Sequence, residues 1–141
     1  MCFLNNTSGS YNTAAGHAAL VANTTGSDNT AIGFEALLSN TTGTSNTAVG
    51  ELALCNNIGG SNNVALGDHA LANSATGQNN IAIGASSGSH VTTGSNNIDI
   101  GNIGKHGDSG RSALARHQLT RTLPSPASAG DTTNWRTGPH R

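Results

Sequence analysis

Few side chains of this 141-residue chain could move a proton, hold a metal or attack an electrophilic carbon. Glu35, Glu51 and Asp68 are carboxylates of the kind that work in pairs as general acid and base. His17, His69 and His90 are imidazoles of the kind that bind zinc. His106, His117 and His140 follow towards the C-terminus, and Cys2 and Cys55 bring the thiols. Spacing argues against each use. No second ligand stands at the close interval a zinc site needs. Two isolated cysteines make neither a metal knuckle nor a disulfide framework. The carboxylates fall on separate turns of a repeat, with no evident pocket between them. The plainer readings are a solvated acidic rim, surface or loop histidines, and small buried or half-buried thiols. No catalytic residue, metal ligand or cofactor-binding residue is expected.

What the sequence does carry is a frame. The stretch Gly77-Gln78-Asn79-Asn80-Ile81-Ala82-Ile83-Gly84 is one copy of a motif that returns every 17 residues. Gly9, Gly26, Gly43, Gly60, Gly77 and Gly94 open the copies, and Gly16, Gly33, Gly50, Gly67, Gly84 and Gly101 close them. With the opening glycine as zero, position three is always Asn: Asn12, Asn29, Asn46, Asn63, Asn80 and Asn97. Position five is Ala14, Ala31, Ala48, Ala65 and Ala82, then Asp99. Position six reads Ala15, Ile32, Val49, Leu66, Ile83 and Ile100, while position four drifts from Thr13, Thr30 and Thr47 to Val64, Ile81 and Ile98. Positions ten and eleven read Ala-Leu from Ala19-Leu20 to Ala70-Leu71, and Asn-Thr-Thr precedes the next glycine at Asn23 and Asn40.

Self-similarity at a fixed period specifies stacked units, each unable to bury its own apolar face alone. Alternation over positions three to seven predicts a short strand, with four and six on one face and three and five on the other. β-Branched side chains suit that pleated surface. The closing glycine ends the strand where the chain must bend sharply or approach a neighbour closely. Ala-Leu predicts a second short extended or irregular segment, and Asn-Thr-Thr-Gly predicts a turn. The expected fold is all-β: a parallel β-roll or β-solenoid of 17-residue coils, with the position-three asparagines stacked as an amide ladder. One coil buries few apolar side chains for the backbone entropy it must lose. The flat face of Asn and Ala is therefore expected to receive neighbouring chains, in an oligomer.

Asn79-Asn80-Ile81-Ala82-Ile83-Gly84 resembles the Asn-Ser-Val-Ala-Ile-Gly motif of trimeric autotransporter adhesin heads, the YadA-like left-handed parallel β-roll. Asn62-Asn63-Val64-Ala65-Leu66-Gly67 and Asn96-Asn97-Ile98-Asp99-Ile100-Gly101 fit it equally. The longer pattern, through Ala-Leu to Asn-Thr-Thr-Gly, is similar to repeats of bacterial surface and phage tail-fibre proteins, which often end in an intramolecular chaperone domain. The resemblance covers about residues 2–101 and departs in repeat length, adhesin-head coils being usually shorter. It implies a homotrimer, a non-catalytic head or shaft, and an extracellular setting at the cell surface, on an outer membrane-anchored fibre, or on a virion. The implied function is adhesion to a host or cell-surface ligand through variable loop positions. The alternatives are a shaft segment of a phage tail fibre or of an enzyme-bearing fibre, and an ice-binding solenoid using its threonine ranks.

The repeat region is placed at residues 2–104 and a basic, proline-containing tail at 105–141, expected to be mostly disordered. Residues 1–104 hold no Lys or Arg and a formal charge of −5; the remainder carries +4 and all three prolines. Within that remainder, Ser112–Leu119 gives a weak helical hint. Asn6-Thr7-Ser8-Gly9 already keeps the register of Asn23-Thr24-Thr25-Gly26, so the chain is expected to be a piece of a longer protein. The codons of Arg111 to Ala115, read one base earlier, accommodate Thr-Ile-Arg-Ile-Gly. A frameshift after Gly110 is therefore expected to have replaced the native continuation. No apolar run is long enough to span a membrane. The Asn-x-Thr matches at Asn5, Asn23 and Asn40 are explained by the repeat's own turn rather than by glycosylation. Gly101-Asn102-Ile103-Gly104 lacks the strand-to-helix setting of a phosphate loop, the calcium-roll pattern is missing, and the tail has no folded nucleic-acid reader.

Overall fold

A computed structural model describes residues 2–114. It is a solenoid: one seven-stranded parallel sheet whose strands lie in sequence order. The strands are β1 (Thr13–Ala15), β2 (Thr30–Ile32), β3 (Thr47–Val49), β4 (Val64–Leu66), β5 (Ile81–Ile83), β6 (Ile98–Ile100) and β7 (Ser112–Leu114). Through β6 every residue pairs with the one 17 positions on, as Thr30 with Thr47 and Ala31 with Ala48. The vertical files that the spacing predicts are therefore real, and the all-β solenoid is the fold.

The glycine frame has two physical causes. A Cβ on Gly26 would meet the carbonyl oxygen of Gly43 and the side-chain amides of Asn23 and Asn40. The opening glycine is thus a matter of space. The closing glycine is a matter of space and conformation together: Gly33 has φ +140°, and a Cβ there would strike Gly50. L-residues avoid that backbone region.

Which face points inward differs from the expectation. The Asn and Ala columns are inside, with Asn29, Asn46, Asn63, Ala31, Ala48 and Ala65 fully buried. The branched residues of positions four and six are outside, Ile32, Val49, Ile81, Ile83, Ile98 and Ile100 exposing 36–43% of their surface. The reason is volume. Leu20, Leu37, Leu54 and Leu71 reach into the coil and fill its centre, so position five has room for a methyl group and little more. The expectation that Asn and Ala offer a docking face is overturned, since from the second coil to the fifth both columns are buried, and only Asn12 and Ala14 of the first coil are half-buried.

Of the two forms expected for the Ala-Leu segment, extended or irregular, it takes the irregular one, a turn. Val21 N donates to Ala18 O at 3.3 Å, while Ala22 N donates to Leu38 O of the next coil at 3.2 Å. Positions nine and eleven lie in the left-handed region, as at Glu35 (φ 54°) and Leu37 (φ 52°). That conformation is costly for a leucine and is tolerated here because the side chain is buried by it.

The sheet also continues past Lys105, where the composition shift places the start of the tail. Ser112–Leu114 is a strand rather than the start of a helix, and Ile98 pairs with Ser112, only 14 residues on. Asn97 Nδ2 donates to Asp108 O at 2.8 Å and Arg111 N to Asn97 Oδ1 at 3.1 Å, so residues without the Gly and Asn signature close one more coil. The remaining tail expectations concern residues 115–141, outside the described residues.

Candidate functional site

The predicted framework residues come together as an internal hydrogen-bonded column. Asn46 Oδ1 accepts from Asn63 N at 3.0 Å and Asn63 Nδ2 at 3.1 Å, and Asn46 Nδ2 donates to Gly60 O at 2.8 Å. The same bonds join Asn29 to Asn46. A buried amide that is fully satisfied in this way is stabilising rather than costly.

A second ladder runs through the segment that the sequence predicts as a turn. Asn40 Nδ2 donates to Asn23 Oδ1 at 2.9 Å, and Asn57 Nδ2 to Asn40 Oδ1 at 2.7 Å. Asn23 Nδ2 also donates to Gly26 O at 2.9 Å. The signal was present, since Asn recurs at position fourteen from Asn6 to Asn57. Asn23 and Asn40 are fully buried, which removes two of the three glycosylation matches from reach in the folded chain. The ladder stops where Ser74 replaces Asn. Asn57 Oδ1 and Ser74 Oγ are both buried without a hydrogen-bond partner.

The chemistry-bearing residues are not gathered into a site. Cys2 and Cys55 are both free. Cys2 Sγ donates to Gly16 O at 2.9 Å and Cys55 Sγ to Ala72 O at 3.4 Å, and burial pushes the Cys55 thiol up. Among the described residues no group of three or more His, Cys, Asp or Glu could hold a metal ion. His17 stacks on Phe34 with ring centroids 5.3 Å apart, one coil above the other. His69 Nδ1 lies 2.5 Å from Asp68 Oδ1 in an exposed pair. With Glu35 and Glu51 these residues form the corner after each strand, the most chemically varied line on the rod.

Asp99 is the exception within the core. It occupies the alanine file between Ala82 and Ala113, is 2% exposed, and leaves Oδ1 without a partner. Burial pushes its carboxyl up; Arg111 opposes the rise and Asp108 adds to it. Arg111 is itself paired with Asp108 at 2.7 Å.

The outer face of the sheet is a continuous surface feature, where positions four and six set two files of mostly branched side chains partly in the open. Contiguous exposed apolar side chains of this kind mark an interaction site more often than isolated ones do. No helix of the described residues is long and apolar enough to cross a membrane. No protein-family model, curated protein or solved structure matches the chain.

Proposed function

We propose that this chain is a non-catalytic structural and adhesive module of a three-copy fibre, displayed on a bacterial surface or in a phage tail fibre. The observation that carries this reading is the apolar stripe. A solenoid stable by itself has no use for exposed Ile81, Ile83, Ile98 and Ile100 in adjacent files, whereas a fibre core built from three copies would bury them. The corner residues His17, Phe34, Glu35, Glu51, Asp68 and His69 then face outward at a regular spacing. Contacts of modest strength, repeated along three chains, would engage a host or cell-surface ligand through avidity. The ice-binding alternative is not favoured: Thr24 Oγ1 and Thr41 Oγ1 are spent on the carbonyls of Thr41 and Ile58, and the outer rank breaks at Gly59.

Sedimentation equilibrium of the full chain, with far-UV circular dichroism on the same sample, tests the assembly. A mass of three chains with β-type dichroism is expected; a folded monomer at tens of micromolar would refute it. Binding of the trimer to intact host cells, reduced by combined substitution of Phe34, Glu51 and Asp68, tests the adhesive part.

A further inference from the structure

The outer stripe is not uniform along the rod. Position four presents Thr13, Thr30 and Thr47 in β1–β3 and Val64, Ile81 and Ile98 in β4–β6. Position six begins with Ala15 and then carries Ile32, Val49, Leu66, Ile83 and Ile100. One half of the stripe is therefore apolar in both files, and the other in one file only. Thr and Val have nearly the same shape, so the change is one of polarity rather than contour; a hydroxyl at the same place keeps its water.

We propose that copies of this chain clasp one another through the C-terminal half of the stripe, Val64 to Ile100, and remain hydrated and loosely apposed at Thr13, Thr30 and Thr47. The inference rests on the three-copy reading and gives it a direction. The occupant of the stripe is a second copy because only a chain with the same coil height and the same order of residues meets it file for file. Set parallel and in register, Ile faces Ile and Thr faces Thr. Set antiparallel, Thr13 and Thr30 would lie against Ile98 and Ile81, leaving hydroxyls desolvated against hydrocarbon, and specificity arises from that mismatch as much as from the match. Charge agrees with this placement. Positions four and six hold no charged residue from Thr13 to Ile100, while the corner beside them carries Glu35, Glu51 and Asp68 with no Lys or Arg before Lys105. Like-charged corners stay apart when the stripes meet at the centre. Asn62, Asn79 and Asn96 border the apolar half, with Asn79 Nδ2 donating to Asn96 Oδ1 at 3.3 Å, and supply the polar rim that such contacts have.

The grading makes association unequally sensitive to substitution at the two ends. In the full chain, Ile98→Lys is expected to abolish assembly at a concentration where the unmodified chain is fully assembled. Ile98→Thr, which copies the N-terminal coils and keeps the β-branch, raises the dissociation midpoint at least tenfold. Thr30→Lys moves it less than threefold, and Thr30→Val combined with Thr47→Val lowers it. Sedimentation velocity on a dilution series reads the midpoints, and circular dichroism confirms that each variant folds. Should Ile98→Lys not fold, Ile98→Thr against Thr30→Lys decides. Equal sensitivity at Thr30 and Ile98 overturns the grading but leaves the three-copy reading standing. An oligomer indifferent to every stripe variant removes the stripe as the contact. A monomeric unmodified chain overturns both.

Discussion

The coils opened by Gly9 to Gly60 and the coil opened by Gly94 make the same kind of turn by different means. In the first group the backbone bends at left-handed residues that are mostly not glycine: Tyr11, Asp28, Ser45 and Asn62 after the opening glycine, and Leu20, Leu37, Leu54 and Leu71 in the core. In the last coil Asn96 (φ 61°) keeps that habit, but every left-handed position after it is a glycine: Gly101, Gly104, Gly107 and Gly110, with φ between 60° and 76°. The return to the sheet takes 14 residues rather than 17. The first group tolerates unfavourable backbone angles because each is coupled to a buried side chain or to an amide ladder. Past Asn96, the last coil avoids the angle penalty with glycine and buries less. Gly88, at the leucine position of the coil before it, shows the start of this change; a Cβ there would meet Leu71, which leans into the space. Regularity in the rod is thus a property of the ladders and leucines rather than of the strands, which are three residues long in both regions.

The sharpest way to break the comparison is to crowd the regular region. Gly43→Ala places a methyl group against Gly60 O and the amides of Asn40 and Asn57, none of which can withdraw without parting two coils. A loss of about 4 kcal/mol, enough to unfold a marginal repeat, is expected. Gly107→Ala meets nothing within 4 Å and suffers only its left-handed angle, about 1 kcal/mol. Urea denaturation at one fixed chain concentration compares them, and similar losses would mean that the last coil is as tightly packed as the rest. Next in size is the core itself. Leu54→Ala should cost about 3 kcal/mol through transfer and cavity. Val91→Ala, beside Gly104 at the end of the rod, should cost roughly half as much because fewer atoms are removed and one side of the void can collapse.

This contrast also explains what could be read from residues alone. The repeats act as an internal alignment, so period, strand positions and amide stacking follow from the sequence. The inward face did not follow, because hydropathy favours Ile over Ala as core. Column variance held the better signal: Asn29, Ala31 and Leu37 recur nearly unchanged in their files, while Ile32 alternates with Val49 and Leu66. A side chain enclosed on all sides tolerates little change, and an outer one tolerates much. β7 was missed because Asp108 and Arg111 stand where the frame has Gly94 and Asn97. The main-chain part of the ladder persists there, Asp108 O and Arg111 N taking the bonds that Gly94 O and Asn97 N take one coil earlier, and main-chain groups leave no mark in a sequence.

A smaller effect separates the regions by pH. Asp99→Ala restores the alanine file between Ala82 and Ala113 and should stabilise the chain by about 1 kcal/mol at neutral pH by removing an unpartnered buried oxygen. The Asp99 carboxyl titrates above the ordinary aspartate value of 3.8 when folded. Folding therefore draws most support from it below that value and loses this support as pH rises through the folded one. The advantage of Asp99→Ala should shrink as pH is lowered, in paired thermal melts. An advantage constant with pH would mean that Arg111 already neutralises the site.

The smallest expected effect lies inside the regular region, where its second ladder ends. Asn57 Oδ1 has lost the donor that Asn23 and Asn40 each have, because Ser74 is too short to reach it and keeps its own oxygen unpaired. Ser74→Asn should extend the ladder by one rung. Its Nδ2 would donate to Asn57 Oδ1 and to Gly77 O, as Asn57 Nδ2 does to Asn40 Oδ1 and to Gly60 O at 3.0 Å. A buried pair gained against two orphaned groups should stabilise by about 0.5–1 kcal/mol. Ser74→Ala separates the alternatives. If the gap is dry, removing one orphan helps slightly; if a water bridges Asn57 and Ser74, removing its partner hurts. A gain for Asn with a loss for Ala, measured by urea denaturation of the same assembled chain, means that the rod is continued across this gap by solvent. A loss for both would show that the coil at Ser74 has closed too tightly to take back the residue its neighbours use.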